Sequence, residues 1–204
     1  MKSHAEPRIT ALVLAAGSSS RMGSANKLIG EVAGTPLVRR AVNAALASHA
    51  SSVIVVTGHQ AQQVESLVAG PGVSVVRNPD YAKGLSTSLR CGIAALPADA
   101  EGVIVLLGDM PCIRAVHLDM LLERYTMQPG IIVPMKQGRY GNPILWPRLH
   151  FKEMQAITGD HGARELLLRH ADQIVSVEMD TEAIFTDVDT PEMLRACSNL
   201  DDVC

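Results

Sequence analysis

The sequence contains few aromatic residues, which make up 3% of its 204 positions. Single-stranded nucleic acid stacks on aromatic rings, so such a composition offers it few platforms. The net charge of -3 likewise argues against a surface that coats DNA or RNA. No apolar run of about 18 residues is present, so we expect no membrane span. These absences argue against nucleic-acid-binding and membrane proteins.

Cysteine is also scarce, and no Cys-x-x-Cys pair occurs among the four positions Cys91, Cys112, Cys197 and Cys204. This spacing argues against a zinc knuckle or a redox pair. Free thiols in a reducing cytosol are the simplest interpretation. The N-terminus lacks the apolar stretch of a signal peptide. We therefore expect a cytoplasmic protein.

The chain has the composition of a globular protein, with 47% hydrophobic and 19% charged residues. Its length fits one domain over residues 1–204, with a core over about 8–197 and a frayed tail at 198–204. Strand-like and helix-like segments alternate. This order predicts an α/β fold with a mostly parallel central sheet and helices on both faces.

The apolar patterns predict strands from residue 9 and at 52–57, 73–76, 102–107, 131–133, 144–146, 174–177 and 183–185. Helices are predicted at 35–48, 60–68, 116–125, 147–156 and 162–169, with another after residue 88 that ends near 96. A last helix begins at Thr190-Pro191. Both Thr-Pro pairs, at 35–36 and 190–191, are typical of a helix start with Thr as the N-cap.

The first strand runs into a loop with the sequence Gly17-Ser18-Ser19-Ser20-Arg21-Met22-Gly23, and Lys27 follows shortly after. The glycine spacing fits neither a P-loop nor a dinucleotide fingerprint. Backbone N–H groups and two cations nevertheless suit clustered negative charge. The loop is therefore predicted to bind the base and phosphates of a nucleotide, with a plain surface turn as the alternative.

Asp109 follows the most apolar predicted strand, and Ser88 also lies beyond a strand end. Ligands of open α/β sheets bind beyond the carboxyl ends of the strands, so one crevice is expected to collect these residues with Arg21 and Lys27. A carboxylate beside phosphates predicts Mg²⁺. Asp187 and Asp189 are alternative second ligands that the sequence alone does not separate.

The seven histidines match no catalytic triad or dyad. His59 and His161 lie in predicted loops near the candidate ligand segments. We interpret the others as solvated or packing residues, because nothing beside them in the sequence fits a stated role.

Several motifs together resemble those of a known family. The first loop and Gly108-Asp109-Met110-Pro111 resemble nucleotidyltransferases with a Rossmann-like, glycosyltransferase-A-type fold of three layers. The remaining motifs make the chain similar to molybdenum cofactor cytidylyltransferases over about residues 10–194; they are Gly84-Leu85-Ser86-Thr87-Ser88-Leu89-Arg90, Arg139-Tyr140-Gly141-Asn142-Pro143, Gly159-Asp160-His161-Gly162-Ala163-Arg164 and Asp187-Val188-Asp189-Thr190-Pro191.

The resemblance implies transfer of CMP from CTP to molybdopterin, with release of pyrophosphate. It implies that Leu14, Ala15, Ala16, Gly17 and Ser88 hold the base and ribose, while Arg21 and Lys27 hold the triphosphate. Asp109 would bind Mg²⁺, with Asp189 preferred over Asp187 as its partner. Asn142 and the segment from Gly159 to Arg164 would face molybdopterin. A molybdoenzyme or its chaperone is an expected delivery partner.

The sequence leaves three alternative functions open. Guanylyl transfer or transfer to a sugar phosphate would use the same fold, and a nucleotide-binding delivery or regulatory protein would use the same pocket without turnover. The segment Ala15-Ala16-Gly17 favours cytosine, because guanylyltransferases resemble Ala-Gly-Gly there, which leaves room for a purine.

Overall fold

An eight-stranded mixed sheet forms the centre of the protein, in the order β10-β7-β9-β6-β1-β4-β5 with β8 paired to β7. The computed structural model describes residues 6–18, 26–159 and 163–198. The strands are β1 (Ile9–Ala15), β2 (Glu31–Val32), β3 (Thr35–Pro36), β4 (Ser52–Thr57), β5 (Val73–Arg77), β6 (Gly102–Leu107), β7 (Ile131–Lys136), β8 (Arg139–Tyr140), β9 (Ile144–Pro147) and β10 (Ile174–Glu178). Strands β2 and β3 form a separate hairpin.

Helices cover both faces of the sheet. They are α1 (Leu37–Leu46), α2 (Ala61–Val68), α3 (Leu85–Ala94), α4 (Ala115–Met127), α5 (Phe151–Ala156), α6 (Arg164–Arg169) and α7 (Pro191–Ser198). Side chains of β1 alternate between two apolar cores: Ala11 and Val13 pack with α1, α2 and α4. Leu12 and Leu14 pack with α3, α5 and α6 on the other face. The predicted three-layer α/β fold is therefore confirmed.

Strand β1 lies between β4 and β6 and is parallel to both. Its carboxyl end is therefore level with the ends of its neighbours, where the strand-end rule places a ligand. Strand β9 is antiparallel to both β6 and β7. The sequence predicted the strand but not its direction, because an apolar run carries no sign of orientation.

Two predicted elements are wrong. Thr35 and Pro36 form a strand with β2, and the helix begins at Leu37 with Pro36 at its N-cap. The predicted strand at 183–185 is a 3-10 helix instead. Both segments are short, and turn geometry decides their conformation more than apolar pattern does.

The second Thr-Pro start is confirmed, since the hydroxyl of Thr190 accepts a hydrogen bond from the N–H of Met193 over 3.3 Å. Helix α7 packs through a small apolar cluster against the β2–β3 hairpin. Of the predicted frayed tail, residues 199–204 lie outside the described part of the chain.

The predicted free thiols are observed at Cys91 and Cys197. The prediction is wrong at Cys112, which is disulfide-bonded. Within the described ranges, none of the helices has the length and apolar character that crossing a membrane requires.

Candidate active site

A cavity of about 480 Å³ opens at the carboxyl edge of the sheet, where β1 and β6 end. This volume lies in the range of small-molecule sites. Its walls come from segments far apart in sequence: Leu14, Ala16, Gly17, Ser18, Lys27, Leu28, Tyr81, Ala82, Gly84, Leu85, Ser88, Leu107, Asp109 and Asp189. The predicted crevice therefore exists, and it gathers most of the predicted nucleotide and metal residues.

Hydrogen bonds fix the backbone where β1 ends. The carbonyl oxygen of Leu14 accepts from the N–H of Gly108 over 3.0 Å, and that of Ala16 accepts from the N–H of His59 over 3.1 Å. A Cβ atom added at Gly58 would lie 2.8 Å from the Ala16 Cβ, so no side chain fits between these two segments. This end of the cavity is therefore shaped by close backbone packing.

Lys27 bridges two carboxylates on the cavity wall. Its Nζ lies 2.5 Å from Oδ2 of Asp109 and 2.8 Å from Oδ1 of Asp189. Asn26 caps the short 3-10 helix that begins at Lys27, because its Oδ1 accepts from the N–H of Leu28 over 3.1 Å. Asn26 thus positions the lysine.

The charges in this cluster shift each other's protonation. Burial alone would lower the pKa of Lys27, but attraction to Asp109 and Asp189 outweighs it and raises the pKa above its usual value. Burial raises the pKa of Asp109 against the opposing effect of Lys27, and the charge of Asp187 raises it further. Among the described residues, the Lys27 ammonium thus pairs with Asp109 and Asp189, and Asp187 lies close enough for its charge to act on Asp109.

The second carboxylate oxygen of Asp109 is not the one that pairs with Lys27. Its Oδ1 is buried and has no hydrogen-bond partner in the described part of the chain. A buried carboxylate oxygen without a partner is costly in a protein interior. A cation bound there would satisfy it, and carboxylate oxygens are the ligands that Mg²⁺ prefers. The residues present therefore fit a divalent metal.

A hydrogen bond of the neighbouring main chain holds Asp189 close to Asp109 and Lys27. The N–H of Val188 donates to the carbonyl oxygen of Asp109 over 3.0 Å. The Val188 side chain is fully buried beside Val32 and Leu37. Because neighbouring residues of an extended segment face opposite ways, burial of Val188 leaves the aspartates on either side turned away from that core.

Ser88 lines the cavity from the first turns of α3, with 4% of its surface exposed. Its Oγ accepts from Nδ2 of Asn78 over 3.0 Å, which leaves its own O–H able to donate to a ligand. The same Asn78 amide donates to Oγ1 of Thr87 over 2.9 Å. Ser88 was predicted in a loop before the helix, but α3 begins earlier, at Leu85.

Other predicted site residues lie elsewhere. Ala15 is buried behind the cavity wall. Asn142 is half-buried and anchored by its N–H, which donates to Ile184 O over 2.9 Å, while Arg164 is exposed at the start of α6. Neither of these two lines the cavity. Arg21 lies outside the described residues, as do positions 160–162 of the glycine-rich segment.

Two polar residues at or beside the cavity were not predicted from the sequence. Tyr81 lines the cavity and its ring centroid lies 5.8 Å from that of His59. Asn78 orients Ser88 from a turn that precedes α3. Both lie in a turn-rich segment with no periodicity. The scarcity of aromatic residues could have drawn attention to Tyr81, but nothing in the sequence marks Asn78.

Residues 11–174 match the MobA-like NTP transferase domain. The chain belongs to this family. The chain is also 31% identical to the molybdenum cofactor cytidylyltransferase of Escherichia coli over 188 residues, which cover 90% of this chain and 92% of that protein. The family and this relative establish that the protein is a nucleotidyltransferase.

Two further proteins are similar to this chain. The bifunctional protein GlmU of Sorangium cellulosum is 35% identical over 69% of this chain, but that region is 31% of its own length. The crystal structure of a homologue of Mycobacterium tuberculosis Rv0371c, from Mycobacterium sp. strain JC1, superimposes with a TM-score of 0.84. Its identity is 27%, and the match covers 95% of this chain and 98% of that one.

Proposed function

We propose that this nucleotidyltransferase transfers CMP from CTP to molybdopterin and forms molybdopterin cytosine dinucleotide and pyrophosphate. The observation that carries the proposal is the cavity in which Ala16 closes one end while Lys27, Asp109 and Asp189 converge on another wall. The methyl group of Ala16 favours a pyrimidine over a purine. The full-length likeness to a cytidylyltransferase supports the same substrate.

In this reaction a terminal phosphate oxygen of molybdopterin attacks the α-phosphorus of CTP in line. A new P–O bond forms at the α-phosphorus, the bond to the β-phosphate oxygen breaks, and pyrophosphate leaves. The attacking phosphate monoester is already anionic near neutral pH, so the step needs no strong general base. The absence of a Ser-His-Asp or Cys-His arrangement in the sequence is consistent with this chemistry.

Each wall of the cavity has a role in the proposal. The backbone from Leu14 to Gly17 and the Ser88 hydroxyl hold the base and ribose. The cations Lys27 and Arg21 hold the triphosphate and neutralise the charge that develops on the leaving group.

Asp109 and Asp189 would hold Mg²⁺. The ion, when bound, neutralises charge on the phosphates that react. Asp109 is the main ligand in this proposal because its Oδ1 is the buried oxygen that lacks a partner among the described residues.

Asn142 and Arg164 are proposed to contact molybdopterin. Asn142 belongs to the connection between β8 and β9, and Arg164 begins α6, so both lie outside the cavity wall. A second substrate with its own phosphate needs such a flanking surface. We further propose one cytoplasmic domain over the whole chain, and a molybdoenzyme or its chaperone as the recipient of the product.

Pyrophosphate release tests the proposal when it is measured with CTP, GTP, ATP and UTP, each with and without molybdopterin. We expect release only when CTP and molybdopterin are both present. Preference for GTP would replace the proposal with guanylyl transfer, and turnover with a sugar phosphate would replace the acceptor. Tight nucleotide binding without any turnover would show a delivery or regulatory protein.

A further inference from the structure

A second group of metal-ligating side chains lies away from the cavity. His150, Glu153 and His170 each offer one ligand atom, and these atoms all lie within 4.8 Å of one another. His150 ends a 3-10 helix and directly precedes α5, Glu153 lies in the first turn of α5, and His170 follows α6. The group therefore joins the beginning of one helix to the end of the next.

The group lies near the start of β6, whereas the nucleotide cavity lies beyond the carboxyl end of that strand. Pro147, three residues before His150, pairs with Gly102 at the start of β6. Asp109 follows the far end of that strand. With about 3.3 Å per residue, the two places are separated by roughly 20 Å along the sheet. The histidine group is therefore distinct from the proposed reaction centre, and a test of one leaves the other untouched.

His150 is the unexplained member of this group. Its side chain is completely buried, with 0% exposure, and among the described residues neither ring nitrogen has a partner in hydrogen-bond geometry, although the side chain of Gln173 lies nearby. Its ring lies 4.7 Å from that of His170 and 5.8 Å from that of Trp146, measured between centroids. A buried imidazole with two unsatisfied nitrogens is costly unless a ligand pairs with one of them.

Neighbouring side chains already orient the other two ligands. Nε2 of His170 lies 3.0 Å from Oε2 of Glu153, and Nδ1 of His170 lies 3.3 Å from Nε2 of Gln173. A metal-bound histidine usually donates a hydrogen bond from its other ring N–H, and Gln173 would accept that bond through Oε1 once its side-chain amide is turned over. Arg169 also contacts Oε2 of Glu153 over 3.2 Å, and its guanidinium can move to the second carboxylate oxygen.

We propose that His150, Glu153 and His170 bind one Zn²⁺ ion, which clamps the beginning of α5 to the end of α6. Two imidazoles and a carboxylate are a zinc donor set, and they discriminate against Mg²⁺, which prefers oxygen ligands. The fourth position of a three-ligand site takes water. The half-buried Glu153 and His170 leave a path by which the ion enters.

Zinc titration of the untagged, metal-stripped full chain tests this site, with excess Mg²⁺ present to occupy the acidic cluster. We expect one Zn²⁺ per chain by calorimetry and a higher melting temperature with Zn²⁺. His170→Gln and Glu153→Gln change side chains that are 17% and 39% exposed, and both variants should keep the fold. Each should weaken zinc binding by on the order of 100-fold.

Arg169→Gln is the matched control, because it removes a Glu153 partner from the same helix end without removing a proposed ligand. It should bind zinc as the wild-type chain does. The proposal is overturned if the wild-type chain takes up no zinc, if the two ligand variants bind it undiminished, or if Arg169→Gln loses it equally. Circular dichroism of the metal-free variants confirms that each one is folded.

Discussion

The main-chain N–H of Val188 donates a hydrogen bond to the carbonyl oxygen of Asp109 over 3.0 Å. This bond ties the segment before α7 to the end of β6, although 79 positions separate the two residues in sequence. It brings Asp189 to the ammonium of Lys27, which also pairs with Asp109. The acidic cluster therefore forms only because the fold brings together residues that are far apart in sequence.

The two aspartates beside Val188 should differ in importance. Asp189→Asn removes a carboxylate that pairs with Lys27 on the cavity wall, so we expect pyrophosphate release to fall by on the order of 100-fold, with a higher Mg²⁺ requirement. Asp187→Asn should cost less than about tenfold, because Asp187 does not line the cavity. Titration of the rate against Mg²⁺ measures both. A larger loss of rate in Asp187→Asn than in Asp189→Asn would show that Asp187 is the second metal ligand.

Ala16→Gly should relax the choice of base. Ala16 lines the cavity, and its methyl packs beside Gly58, so its removal should open space for a purine ring. We expect the ratio of kcat/KM for GTP to that for CTP to rise roughly tenfold. Ala15→Gly deletes the same methyl group from a buried position behind the wall and should leave the ratio unchanged. An equal ratio of kcat/KM for GTP to that for CTP in the wild type and in Ala16→Gly would show that Ala16 does not select the base.

Ser88→Ala should weaken nucleotide binding. The variant loses the hydroxyl that the proposal assigns to the base and ribose, so the KM for CTP should rise roughly threefold to tenfold. Thr87→Val is the matched control, because Thr87 also accepts a hydrogen bond from Asn78 but does not line the cavity. A similar rise in KM in both variants would show that Asn78 packing, and not a contact to CTP, explains the effect.

Much of this site follows from the strand-end rule applied to the sequence. Asp109 was expected beyond the most apolar strand and lies there, because that strand pairs in parallel with β1. The pairing of Lys27 with two carboxylates did not follow, since it depends on a 3-10 turn and on the Val188 contact. Ser88 was placed in a loop because Gly84, with φ of 106°, starts the helix earlier than residue preferences indicate.

The grouping of His150, Glu153 and His170 also did not follow from the sequence. His150 and Glu153 are three residues apart, a spacing that places both on one side of a helical turn. Nothing in the sequence joins them to His170, which is brought close by the packing of α5 and α6 against the same face of the sheet. We expected these histidines to be solvated or packing residues because nothing beside them in the sequence fits a stated role.

Acid should destabilise the protein partly through His117. The ring is buried, its Nδ1 accepts from the N–H of Arg114 over 3.2 Å, and burial together with the Arg114 charge lowers its pKa. The unfolded chain therefore binds more protons below about pH 6.5. Stability is full above that pH and falls as the pH drops toward the lowered pKa of the folded state.

Urea unfolding at pH 7.5, 6 and 5 measures this effect in the wild type and in His117→Gln. The variant does not titrate at position 117, so its free energy of unfolding should fall less across the series. Other titrating groups act in both proteins and cancel in the comparison. Parallel losses in the two proteins would show that His117 does not contribute.

The most direct test of the account identifies the product made from CTP and molybdopterin. Mass spectrometry should show molybdopterin joined to one CMP, with one pyrophosphate released for each product. Asp109→Asn should keep the fold and lower the rate at least roughly 1,000-fold, because it removes the charge opposite Lys27 and at the proposed metal position. Product formation at the wild-type rate by Asp109→Asn, or no CMP adduct with the wild-type enzyme, would contradict the account.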